Sequence, residues 1–145
     1  MEGETDSELF FRLIIQEVFR AEDSIRGIRN AVRKILDNNI YFKSLNFVAS
    51  DGKRLYALRY FNVEPYRYTL YYIERPITDD FQGLSDVTKQ LIETKLRTGE
   101  RAIIIASEKL SDEKYWREIP NGCLLVIGNN LKPQLMSIQL EKCSE

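Results

Sequence analysis

The chain has 145 residues, enough for one domain that buries about two thirds of the surface its unfolded form exposes. Eight Tyr, seven Phe and one Trp with a net charge of −1 exclude a disordered polyelectrolyte, and give no global reason to expect nucleic acid or an acidic membrane as partner. There is no histidine, which removes Ser–His and Cys–His nucleophile pairs, histidine bases and histidine metal ligands from this chain.

At the start, Met1-Glu2-Gly3-Glu4 is acidic and lacks the basic-then-apolar layout of a signal peptide. Thr5-Asp6-Ser7-Glu8 has the S/T-x-x-E form of a capping box, with Thr5 as N-cap. Leu9, Phe10, Leu13, Ile14 and Val18 recur at spacings of three and four, which predicts an amphipathic helix. Ala21-Glu22-Asp23-Ser24 is a second start signal. In the helix it opens, Ile25, Ile28, Val32, Ile35 and Leu36 mark one face, and Arg26, Arg29, Arg33 and Lys34 take the other. Two helices joined by a short link suggest an antiparallel pair lying on a sheet.

Asp37-Asn38-Asn39 ends the helical part and period-2 patterning follows. Leu45, Phe47 and Ala49 alternate with Asn46, Val48 and Ser50, and Asp51-Gly52 is a two-residue hairpin signal. The return strand runs from Leu55 to Tyr60, and another from Tyr68 to Ile73. Ser85 is the expected N-cap of a third helix, with Val87, Leu91, Ile92 and Leu96 on one face and Gly99 as its stop. Ala102-Ile103-Ile104-Ile105-Ala106 reads as a strand buried on both faces. Ser111 to Pro120 is a polar excursion carrying Trp116. Asn121-Gly122 turns into a strand from Cys123 to Ile127, and Gly128-Asn129-Asn130 leads to a last alternation at Met136, Ile138 and Leu140. The pattern predicts a single α+β domain over residues 1–145, with helices packed on mainly antiparallel sheet.

No apolar stretch approaches the ~20 residues of a membrane span. Two cysteines are too few for a disulfide framework, so a reducing cytoplasm is the expected setting. Cys123 is a candidate nucleophile, but it precedes Leu124, Leu125 and Val126 with no cation to lower its pKa, so a buried structural thiol is expected; Cys143 lies near the end of the chain. Asp79-Asp80 and Asp112-Glu113 lack the alternating acids of a calcium loop, and the expectation is no metal and no cofactor. Arg59-Tyr60-Phe61, Tyr66-Arg67-Tyr68 and Tyr71-Tyr72 resemble a base-stacking platform, yet tyrosines on strands also serve to cover half-buried faces. Asp6 favours the helix dipole whatever the function, and the same geometry presents a carboxylate to a ligand ammonium.

Gly3-Glu4-Thr5-Asp6-Ser7-Glu8 resembles the G-x-T-D-S-E segment of the glutaminase domain of class II glutamine amidotransferases, small stand-alone branch. The resemblance continues through Asn46 to Tyr60, Ile104 to Leu110 and Trp116 to Gly122. It implies part of an N-terminal-nucleophile hydrolase sandwich of α/β/β/α layers. In that family a Cys at the mature N-terminus attacks glutamine, with its own α-amino group as base. An Asn-Gly pair supplies the oxyanion hole, an Arg holds the substrate carboxylate, and the Asp of T-D-S-E binds the substrate α-amino group.

Only the last role maps here, onto Asp6. Residues 1 and 2 are Met and Glu, so the segment with the Cys, the Arg and the oxyanion pair is expected upstream of Gly3. Asn121-Gly122 sits in the turn after Ile119-Pro120 and is not assigned the oxyanion role. The resemblance therefore implies a C-terminal half with no catalytic residue of its own, inactive alone. Its implied partners are glutamine, and an N-terminal half or a second copy. A non-catalytic remnant that oligomerises or binds a small ligand is the alternative, and nucleic-acid binding through the Arg/Tyr strands a weaker one.

Overall fold

The computed structural model describes residues 5–62, 68–76 and 85–139, without the side chains at 92, 95 and 96. Helix α1 spans Asp6–Ala21 and α2 Ser24–Asp37. Thr5 Oγ1 accepts the Glu8 N–H at 3.3 Å, as predicted. The capping box is not reciprocated, because the Glu8 carboxylate pairs with Arg12 at 2.6 Å one turn on. Asp23 caps α2 by accepting the Arg26 N–H at 2.7 Å.

The two helices cross where Gly27 lies against Val18. A Cβ at Gly27 would stand 2.4 Å from Val18 Cα, so only glycine allows this approach. Nearby, the buried Glu17 receives Lys34 from the second helix and Arg20 at 3.2 Å from its own. Hydrogen bonding to Lys34, against the opposing effect of burial, holds the Glu17 carboxyl below its usual range.

The strands are β1 (Phe47–Ser50), β2 (Leu55–Arg59), β3 (Tyr71–Arg75), β4 (Ala102–Ala106), β5 (Arg117–Glu118), β6 (Cys123–Ile127) and β7 (Pro133–Ser137), with α3 (Asp86–Thr98) between β3 and β4. They form two antiparallel sheets, ordered β1-β2-β6-β7 and β4-β3-β5. The first sheet is central. Tyr56, Leu58, Leu124 and Val126 meet Ile14, Ile28, Ala31, Val32 and Ile35 of the helices. On its other face Ala57, Cys123, Leu125 and Ile127 meet Tyr72, Leu70 and Ile119. The described layers are thus helix pair, sheet and sheet, and the expected α+β class with helices on antiparallel sheet holds.

Several local expectations change. The strand expected from Tyr68 to Ile73 runs instead from Tyr71 to Arg75. β4 is not buried on both faces: among the described residues it pairs only with β3, at a sheet edge, and its residues are exposed or half-buried. The strand buried throughout is β6, between β2 and β7. The β1–β2 loop has four residues, not two, because the Asp51 carboxylate takes the Lys53 and Arg54 N–H groups at 2.9 and 2.8 Å. The last strand starts at Pro133, tolerated as the first residue of an edge strand, although Ile138 still points into the core. In α3, Ser85 Oγ accepts the Thr88 N–H at 3.2 Å as expected, but Val87 and Leu91 of its predicted apolar face are exposed. Ile92 and Leu96 lie outside the described side chains.

Candidate functional site

Asp6 is the first residue of α1 and is exposed at the positive end of the helix. No hydrogen bond or ion pair holds its carboxylate among the described residues. Phe10, one turn on, meets Phe47 edge-on with ring centroids 5.8 Å apart, and Phe47 pairs with Leu58. The tip of α1 therefore lies over the end of the central sheet where β1 and β6 begin and β2 ends. An uncommitted carboxylate there is suited to accept an ammonium group.

At that same end, Arg59 is a structural hub. It is 4 % exposed; its Nε donates to Tyr68 O at 2.9 Å, and its Nη1 to Glu118 Oε1 and Ile119 O, each at 2.7 Å. These bonds fasten the central sheet to β5 and the chain beside β3. Asn121 reinforces the link: its Oδ1 accepts the Phe61 N–H at 2.9 Å and its Nδ2 donates to Phe61 O at 3.2 Å. The Gly122 N–H is spent on Arg59 O at 2.8 Å, with φ at +77°. The Asn121 side chain and the Gly122 N–H are thus bonded within the fold.

Of the Arg/Tyr platform, Arg59 and Tyr72 are buried, Tyr60, Phe61, Tyr68 and Tyr71 are half-buried, and Tyr66 and Arg67 lie outside the described residues. Cys123 is buried as expected, but it is disulfide-bonded rather than a free thiol, so no attacking thiolate is available from it. Cys143, Asp79 and Asp80 lie outside the described residues. Arg75 engages both oxygens of Glu113 at 2.6 Å, and Ser111 donates to it at 3.0 Å while accepting the Trp116 indole N–H at 3.0 Å. The Arg75 hydrogen bonds hold the Glu113 carboxyl below its usual range. Among the described residues no cluster of acids and cysteines could hold a metal, and no helix is long and apolar enough to cross a membrane.

Asp51 was not singled out by the sequence beyond its turn. Burial pushes its carboxyl up, but hydrogen bonds from Tyr56 Oη at 2.7 Å, Arg54 and Lys53 N–H, and Ser24 Oγ at 2.8 Å outweigh that and hold it well below the carboxylate range. It ties the β1–β2 loop to the start of α2, and every strong partner is a structural one.

Over residues 2–142 the chain matches the model of the class II glutamine amidotransferases. The chain belongs to that family. Among solved structures it is similar to a glutamine aminotransferase class-II domain protein from Silicibacter pomeroyi, with 24 % identity and a TM-score of 0.59 over 94 % of this chain. At that identity the likeness is one of fold, and it agrees with the α+β layers described above. The chain spans about half of that protein, 52 % of its length. No curated protein matches the chain.

Proposed function

We propose that this chain is the C-terminal portion of a class II glutamine amidotransferase unit, one domain over residues 1–145, built on the N-terminal-nucleophile hydrolase sandwich. Asp6 binds the α-ammonium of glutamine, and the attacking Cys, its amine base and the oxyanion donors come from a segment outside it. The observation that carries this reading is the exposed carboxylate of Asp6 at the tip of α1, without a partner among the described residues and within the residues that match the family. The disulfide-bonded Cys123 and the internally bonded Asn121-Gly122 add support, because neither offers a nucleophile or an anion pocket.

A second observation bears on assembly. Phe11, Ile15 and Phe19 form an exposed apolar stripe along α1, with Phe19 79 % exposed. The completing segment covers it in this reading, in line with a solved neighbour of which the chain spans 52 %.

Glutaminase assay tests the proposal. The chain alone should release no ammonia from glutamine, and mixing it with an N-terminal segment bearing the family's Cys should produce activity. In that mixture Asp6→Asn should raise KM by at least about tenfold, the loss of one charge-assisted contact. Turnover by the isolated chain, or an unchanged KM, would remove the proposal's basis. Sedimentation of the chain alone separates the occupants of the stripe: a stable homodimer protecting Phe11, Ile15 and Phe19 would assign it to a second copy.

A further inference from the structure

The outer face of α2 carries a basic groove that the glutamine reading does not use. Arg26, Arg29 and Arg33 stand at i, i+3 and i+7, so their side chains share one side of the helix. Together with Asp23, Ile25 and Met136 they line an open groove of about 610 Å³ between α2 and the end of edge strand β7.

None of the three arginines has a carboxylate partner among the described residues. Other cations of the chain contrast with them. Arg12 is paired with Glu8, Arg20 and Lys34 with Glu17, Arg59 with Glu118, and Arg75 with Glu113. The one acid in the groove, Asp23, is occupied through Oδ1 with the Arg26 backbone N–H, and it leaves the groove net positive.

Arg29 is the second observation. Its Nη2 donates to the Ser137 carbonyl at 2.9 Å, which fixes the guanidinium against the sheet edge. Its Nε is the one buried side-chain polar atom without a hydrogen-bond partner among the described residues. A charged donor buried without an acceptor is unfavourable unless an acceptor arrives. A planar guanidinium held at one corner and short of an acceptor, with two more arginines on the same face, matches the geometry that grips oxyanions.

We propose that this groove binds a small organic anion carrying two or more negatively charged oxygen groups, of the phosphate-ester or polycarboxylate class. Arg29 supplies the fixed contact, Arg26 and Arg33 close on the remaining oxygens, and Ile25 and Met136 provide an apolar wall for the carbon part of the ligand.

The test is calorimetric titration of the whole chain at about 0.15 M ionic strength, with inorganic pyrophosphate and with citrate as probes. One saturable site per chain is expected, with Kd below about 1 mM for at least one probe. Pyrophosphate binding more tightly indicates the phosphate class, and citrate more tightly the polycarboxylate class. Arg33→Gln and Arg26→Gln, both at the helix surface, should each weaken that binding about tenfold. Arg12→Gln removes the same charge from α1 and should change it less than about twofold. Absence of saturable binding to both probes would overturn the proposal, as would equal weakening by Arg12→Gln and Arg33→Gln, the mark of a net-charge effect. None of these readings involves Asp6 or ammonia release, so the groove and the glutamine site succeed or fail separately.

Discussion

Strands β6 and β4 are written in nearly the same alphabet and live in opposite surroundings. Cys123-Leu124-Leu125-Val126-Ile127 is buried at every residue, whereas Ala102-Ile103-Ile104-Ile105-Ala106 is exposed or half-buried throughout. The difference lies in the neighbours. β6 has a strand on each side, helices over one face and the second sheet under the other. Among the described residues β4 has β3 alone beside it. Apolar composition sets the free energy available from burial, but position in the sheet decides how much of it is realised.

The most direct way to break this contrast is to hollow out β6. Leu125 is fully buried between the two sheets, opposite Ala57. Leu125→Ala should cost about 2–5 kcal/mol of unfolding free energy, transfer and cavity terms together, read as a lower urea midpoint with unchanged slope. Next comes the layer above the sheet. In Gly27→Ala the new methyl would meet the Val18 backbone, which no rotamer change relieves. The higher helix propensity of alanine offsets only part of this, and a net loss of about 1–3 kcal/mol is expected. A gain in stability would mean that the helices can separate without disturbing the central sheet.

A smaller effect tests the tie between that sheet and α2. Asp51→Asn keeps the shape of the loop but loses the charge that Tyr56, Ser24 and two backbone N–H groups solvate. At neutral pH the cost should be about 1 kcal/mol, discounted for the exposure of the loop. The folded-state pKa is depressed, so the stabilisation is complete above the unfolded value near 4 and fades as pH falls below it. Denaturation of both proteins across that range should therefore show curves that converge in acid. A gap that stays constant down to low pH would show that the charge is not responsible.

The contrast also marks what a linear reading can reach. The order of helices and strands was legible because periods of 3.6 and 2 are local, and caps such as Thr5 and Ser85 announce themselves within three residues. The strand whose composition reads as buried on both faces, β4, differs in depth, because burial on two faces depends on partners far along the chain. β5 was invisible for a related reason: Arg117 and Glu118 are polar, and only their register with Tyr72 and Tyr71 makes them a strand. Glu17 reads as an ordinary surface acid until Lys34 of the next helix arrives. The proposal for Asp6 rests on resemblance to a motif, since physics alone makes any acid welcome at a helix start. The Arg59–Asn121 hub needed the fold itself, joining residues some sixty apart.

The smallest effect sits on β4. Ile104 is 38 % exposed, and its cross-strand partner is the buried Ile73. Ile104→Thr keeps a β-branched side chain on the strand and removes apolar surface that the chain leaves partly in water. The loss should be about 0.5 kcal/mol, a cross-strand contact rather than a core term. Its value lies in repeating the measurement after assembly. If the completing segment closes over this sheet, as the proposed four-layer sandwich requires, the same substitution should cost clearly more in the complex than in the isolated chain. An equal cost in both states would leave β4 at the surface of the complete protein and put the fourth layer elsewhere.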